Sequence, residues 1–229
     1  MIFSQVLLHD IFYFRLTVAD ILSKSITINV KPQAPLWLTI EQTAFDQKTA
    51  LKVHNACDQD CVMEGLLHAQ VLGIAAKRGF GVVFFNESQN SLSNDGSFKQ
   101  AVTKLHKKLV GSKVFKTRTR KSLPHSKLMN LYSHCSKRSE GALTLMGVNF
   151  DNLRSKFNVR FSSPVGPNAN IEQYLLSASD GQVLLNNEKF NHEATPSYKF
   201  KKLSKYSISL TLPPFSMAFW TIRNAKFEQ

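Results

Sequence analysis

The sequence predicts a mixed fold, an α/β segment followed by an all-β domain, on three observations. Between residues 36 and 110 short apolar runs alternate with stretches of helical periodicity. After Gly111 the helical pattern stops and short runs separated by turn residues take over, the habit of an antiparallel sandwich. Within that second part Ile208, Leu210 and Leu212 alternate with Ser207, Ser209 and Thr211, the two-residue period of a half-buried strand.

Taken in order, residues 1–30 place Leu7, Phe14, Val18 and Leu22 near helical spacing, and Lys31-Pro32-Gln33-Ala34-Pro35 ends that helix. Leu36 to Ile40 is a short apolar strand of the kind buried on both faces. A polar loop leads to a helix from Met63 to Arg78, with Leu66, Leu67, Gln70, Val71 and Ile74 on one side and Gly79 as its stop. Gly81 to Phe85 is a second buried strand, and a helix runs from Phe98 to Val110. The later strands are Leu143–Phe150, Phe157–Phe161, Gln173–Leu176, Val183–Leu185 and Ser207–Leu212. Asp180-Gly181 marks a tight turn, and Pro213-Pro214 interrupts pairing before a last strand, Phe215–Ile222.

The 229 residues are 43% hydrophobic with 17 Phe, ample for a core. Net charge is +13, which draws the chain toward polyanions: nucleic acid, anionic lipid or sulfated glycan. No finger spacing, RNP-like strand motif or basic heptad helix is present, so specific nucleic-acid binding is not expected. No P-loop, dinucleotide fingerprint or Gly-x-Ser-x-Gly elbow occurs, and no cofactor is expected. Cys57 and Cys61 have a metal-like spacing without a second ligand pair, and with Cys135 they make an odd count. His9, His54, His68, His106, His125, His134 and His192 are scattered as surface or packing residues. No apolar run reaches membrane-spanning length, and the start lacks the basic end and long apolar core of a signal peptide. Asn86-Glu87-Ser88 is a glycosylation sequon.

Three segments together resemble the end of a heparanase: Lys107-Lys108-Leu109-Val110-Gly111-Ser112-Lys113-Val114; Leu131-Tyr132-Ser133-His134-Cys135 with Glu140 to Leu145; and Phe215-Ser216 to Arg223-Asn224-Ala225-Lys226. Heparanases are glycoside hydrolases that cut internal glucuronide links of heparan sulfate, with a TIM barrel beside a β-sandwich. The resemblance implies that residues 1–111 are the last two β/α units of a barrel and residues 112–229 a C-terminal antiparallel β-sandwich. It also implies a missing start, a secreted or lysosomal location, and a partner for Cys135 near the C-terminus that Lys226-Phe227-Glu228-Gln229 does not supply. Two strands cannot close an eight-stranded barrel, so a missing N-terminal chain or segment is an expected partner.

Ala34-Pro35-Leu36-Trp37-Leu38 resembles the strand that carries the catalytic nucleophile of heparanases at its C-terminal end. Aligned without a gap, Ile40 takes the nucleophile's place and Glu41 falls one residue late, pointing the other way unless a bulge re-aims it. Glu41 is thus either a displaced nucleophile or an ordinary glutamate in a degenerate site. Retaining hydrolysis needs a second carboxyl group as acid and base. In heparanases that group is the Glu of an Asn-Glu-Pro segment, which this sequence does not contain. Phe84-Phe85-Asn86-Glu87 and Asp46-Gln47-Lys48 also depart from the family's sugar-contacting and glycine-rich segments.

Lys104, Lys107, Lys108, Lys113, Lys116, Arg118, Arg120, Lys121 and Lys127 form a basic cluster, in which Lys116-Thr117-Arg118-Thr119-Arg120 alternates as an extended segment would to line charges along one face. Heparanases carry basic residues in the same region. The cluster is read as a site for heparan sulfate or a heparin-like glycan, or else as a solvated loop; Lys199, Lys201, Lys202 and Lys205 form a weaker patch. The expected function is that of a heparanase-like chain, inactive by itself, or of a non-catalytic glycan-binding module.

Overall fold

The computed structural model describes residues 36–41, 57–86, 97–117, 128–162, 164–166, 169–191, 198–201 and 206–225. The helix expected within residues 1–30, the loop 46–48, the residues Arg118, Arg120, Lys121, Lys127, Lys202 and Lys205, and four histidines (His9, His54, His125 and His192) lie outside them. In chain order the elements are β1 (Leu36–Glu41), α1 (Gln59–Lys77), β2 (Phe80–Asn86), α2 (Phe98–Leu109), β3 (Val110–Val114), β4 (Met129–Ser136), β5 (Leu143–Asn149), β6 (Ser155–Arg160), β7 (Asn170–Ser179), β8 (Gln182–Leu185), β9 (Glu188–Lys189), β10 (Lys199–Lys201), β11 (Ser207–Leu212) and β12 (Ser216–Arg223).

The first part is a strand–helix–strand unit. β1 and β2 pair in parallel, which a tight turn cannot connect, and α1 makes the crossover. α1 begins at Gln59 rather than Met63, because Asp58 caps it by accepting a hydrogen bond from the Cys61 amide at 3.0 Å. Gly79 follows its end at φ +86°, as expected of a helix stop. α2 is capped by Ser97 and buries Phe98, Ala101, Val102, Leu105 and Leu109, the stripe of an amphipathic helix.

The second part is dominated by an antiparallel sheet in the order β3-β4-β5-β12-β7-β8-β9, with β10 also paired to β7. The last described strand, β12, sits between β5 and β7, and every residue of β5 is buried. One face packs on the helices: Met146, Val148, Tyr174, Leu176, Met217 and Phe219 share a core with Leu66, Phe98, Val102 and Leu105. On the other face Leu143, Leu145, Ile171, Ala218, Trp220 and Ile222 meet a two-stranded ribbon, β6–β11, through Phe157, Leu210 and Leu212. Alternation along β5 and β12 serves both layers at once.

The β5, β6, β7, β8, β11 and β12 strands fall where the pattern placed them, and Asp180-Gly181 forms the β7–β8 turn with φ of 51° and 72°. β3, β9 and β10 were not expected, and of β4 only His134 beside Cys135 reads from the sequence as a strand position. β3 and β4 are rich in polar residues, and β9 and β10 span too few residues to show a period. A Cβ at Gly73 would collide with the buried ring of Tyr132, whose hydroxyl donates to Gln70 Oε1 at 2.9 Å. Gly73→Ala is therefore expected to lower stability by about 1–3 kcal/mol, read as a reduced urea midpoint; an unchanged midpoint would show that α1 can slide on β4.

Candidate functional site

β1 and β2 end together. Leu38 pairs with Val83, Thr39 with Phe84, Ile40 with Phe85 and Glu41 with Asn86, and the only irregularity in this ladder lies between Leu36 and Trp37. No bulge separates Trp37 from Glu41, so Ile40 and Glu41 keep the successive strand positions that the sequence assigned. The pairing brings Asn86, the sequon residue, beside Glu41 at the strand ends where parallel α/β units hold their chemistry. Nothing local along the chain marks that neighbour, since parallel pairing is non-local. Among the described residues no group of three or more His, Cys, Asp or Glu side chains is arranged to hold a metal ion.

The basic segment forms one border of the large sheet. Lys107 and Lys108 lie in the last turn of α2, where cations are favoured by the helix dipole. The chain passes at once into β3, an edge strand on which Ser112, Lys113 and Val114 are exposed, and Lys116 is exposed just beyond it. Backbone bonds fix this edge: the Lys113 amide donates to Cys135 Sγ at 3.2 Å, and the Phe115 amide to the Ser133 carbonyl at 2.9 Å. Lysine on an edge strand also blocks pairing with a second sheet. Lys104 is set apart from the row, its ammonium lying 5.8 Å from the Phe190 ring centroid.

Beneath this border lie three histidines. His68 Nε2 donates to Thr103 Oγ1 at 2.9 Å, since the threonine hydroxyl is committed to the Lys99 carbonyl. His106 and His134 meet edge to face with ring centroids 6.4 Å apart. Burial holds all three below the ordinary 6.5: His68 at about 3, with Lys99 and His106 adding repulsion, and His106 and His134 at about 4, His106 feeling His134 as well. They are packing residues and neutral at pH 7. Cys57 and Cys61 form a disulfide and Cys135 is a buried free thiol.

One cluster was missed. Glu172 is fully buried on β7, and its two oxygens are met by Arg138 Nη1 at 3.0 Å and Arg223 Nε at 2.8 Å. The Tyr174 hydroxyl donates to the same carboxylate at 3.0 Å and accepts from Arg138. Burial, then the neighbouring carboxylate, raise the phenol's pKa, so it stays a donor. The signal available was a glutamate inside the apolar run Ile171 to Leu176, which needs a partner if the run is buried. A separate cleft of about 290 Å³ opens at the far end of β7, between the cap Asp58 with Val62 and Met63 of α1 and Ser177 to Gly181.

No family model matches the chain. It is similar to the heparanase of Rattus norvegicus, 30% identical over a 237-residue alignment that covers 93% of this chain and 41% of that protein. The heparanases of Bos taurus (28% identity, 86% and 38% covered) and Gallus gallus (29% identity, 71% and 34% covered) match in the same way. The chain thus spans about two fifths of the length of its first relatives. In structure it resembles part of a family 44 endoglucanase of Clostridium acetobutylium, with a TM-score of 0.53, 13% identity and 70% and 29% covered. It also resembles part of a family 51 α-L-arabinofuranosidase of Thermotoga petrophila, with a TM-score of 0.50, 15% identity and 70% and 38% covered. At such identities these two show the fold alone. Over most of its own length the chain is a homologue of the heparanases.

Proposed function

From that homology we propose that the chain binds heparan sulfate or a heparin-like glycan and does not hydrolyse it alone. The observation that carries the reading is the match to heparanase across 93% of the chain, the Lys107–Lys116 border included. On this reading residues 1–111 are the last two β/α units of a TIM barrel and residues 112–229 the sandwich, in a secreted or lysosomal protein. Lys107, Lys113 and Lys116 are exposed along this border and Lys108 is half-buried, and Arg118, Arg120 and Lys121 follow in the sequence as further proposed contacts. A row of exposed cations suits a polymer that repeats sulfates and carboxylates. Glu41 stands at the strand end proposed for the nucleophile, one position late, and the acid/base segment is not in this sequence. A two-carboxylate mechanism therefore needs a group from another chain or segment.

The test is salt elution from immobilised heparin. The chain should be retained at physiological salt, and changing Lys113, Lys116, Arg118, Arg120 and Lys121 to alanine should weaken binding about tenfold or more, at about 0.2–1 kcal/mol per exposed pair. Elution at the same salt would sink the binding reading. Incubation with heparan sulfate should release no new reducing ends, whereas cleavage abolished by Glu41→Gln would overturn the claim that the chain cannot act alone.

A further inference from the structure

The cluster on Glu172 joins three distant pieces of chain: Arg138 from the β4–β5 hairpin, Glu172 and Tyr174 from β7, and Arg223 from the end of β12. Two guanidiniums share one carboxylate, so the cluster keeps a positive charge. Its polarity runs from inside to outside. Glu172 is 1% exposed, while the Arg138 and Arg223 side chains are 25% and 34% exposed. The carboxylate therefore pairs with one nitrogen of each guanidinium, and both side chains stay partly open to solvent.

Tyr198 stands at the rim, 37% exposed, with its ring 6.0 Å from the Arg138 guanidinium carbon and 5.7 Å from the Tyr174 ring. An aromatic face beside fixed guanidiniums is the chemistry that accepts a sugar ring and its anionic substituent together. The hairpin also meets the end of α2, since the Lys137 amide donates to the Leu109 carbonyl at 3.1 Å. Arg138 thus lies at the same end of the sheet as Lys107 and Lys108. Holding the forks in place beforehand removes much of the side-chain ordering that binding would otherwise require.

We propose that Arg138, Arg223 and Tyr198 form a subsite for one sulfated sugar residue, adjoining the cationic row of β3. The inference rests on the glycan-binding reading and adds a built anchor to the lysines of that border. Anionic groups of the sugar take the outward N–H groups of the two arginines, and the ring lies against Tyr198.

The experiment is calorimetric titration of the full chain with a heparin tetrasaccharide and with its fully desulfated counterpart. Arg138→Lys, Arg138→Gln and Tyr198→Ala are each compared with the unchanged chain. The unchanged chain should bind the sulfated form and not the desulfated one. Arg138→Gln should weaken binding about tenfold, and Arg138→Lys should restore only part of it, because a point charge lacks the fork. Tyr198→Ala leaves the ion pairs intact, so its weaker binding, with an unchanged melting temperature, keeps the question decidable if Arg138→Gln unfolds. Equal binding by Arg138→Lys and Tyr198→Ala would overturn the subsite and leave the glycan-binding reading standing. Failure of the unchanged chain to bind would overturn the glycan-binding reading and the subsite with it, and equal binding of the desulfated form would exclude sulfate as the ligand.

Discussion

Acidification from pH 7 to pH 5 is expected to remove about 5 kcal/mol of folding free energy, a third or more of a typical domain's margin. His68, His106 and His134 are all held below 6.5 in the folded chain, at about 3, 4 and 4. Below pH 6.5 the unfolded chain binds three protons that the folded chain refuses. Their contribution is therefore complete above pH 6.5 and declines as pH falls toward the folded values, with a limiting slope of about 4 kcal/mol per pH unit. Ordinary carboxylates titrate near pH 4, so the interval from 7 to 5 isolates the imidazoles.

The packing explains why the rings cannot accept charge cheaply. His134 is 1% exposed and His68 7%. Protonated His106 would face His134 across 6.4 Å, and protonated His68 would add charge beside Lys99. Urea midpoints at pH 7 and pH 5 measure the effect, and replacing His106 and His134 with glutamine should flatten the pH dependence by about two thirds. Equal midpoints at the two pH values would mean that the rings are solvated and titrate normally. If the chain works in an acidic compartment, a bound polyanion or a second chain must offset this loss.

Trp220→Ala is expected to destabilise the fold by about 3–5 kcal/mol. Trp220 lies on β12, between β5 and β7, with no exposed surface. It packs on the ribbon face, edge to face with Phe157 at 6.4 Å, and its indole N–H donates to Gln173 Oε1 at 3.0 Å. Gly147 leaves the space it fills, since a Cβ there would stand 2.6 Å from the ring. Truncation would open a cavity between the sheet and β6–β11 and strand a buried amide oxygen. Trp220→Phe, which keeps the ring contact and loses the hydrogen bond, should show a smaller loss of about 1–2 kcal/mol. Equal urea midpoints for Trp220→Ala and the unchanged chain would mean that the ribbon does not pack on the sheet in solution.

Most elements were legible because local chemistry wrote them. Asp180-Gly181 supplies the two positive φ angles of a tight turn, and Ser207 to Leu212 buries Ile208, Leu210 and Leu212 as its alternation requires. β4 escaped because Met129 to Ser136 mixes polar and apolar residues without a clean period, yet its second half is buried between β3 and β5. The start of α1 was displaced because Asp58 and Cys57–Cys61 precede the apolar stripe that drew attention.

By itself the sequence determined most of the helices and strands, the basic charge and the resemblance to heparanase. Each of these depends on residues near one another along the chain. Only the tertiary structure decided that Asn86 sits beside Glu41, that β12 lies between β5 and β7, that His68 and His134 are buried with the half-buried His106 beside them, and that Arg138 and Arg223 converge on Glu172. Those arrangements depend on sheet order and burial, which are set by which surfaces exclude water together.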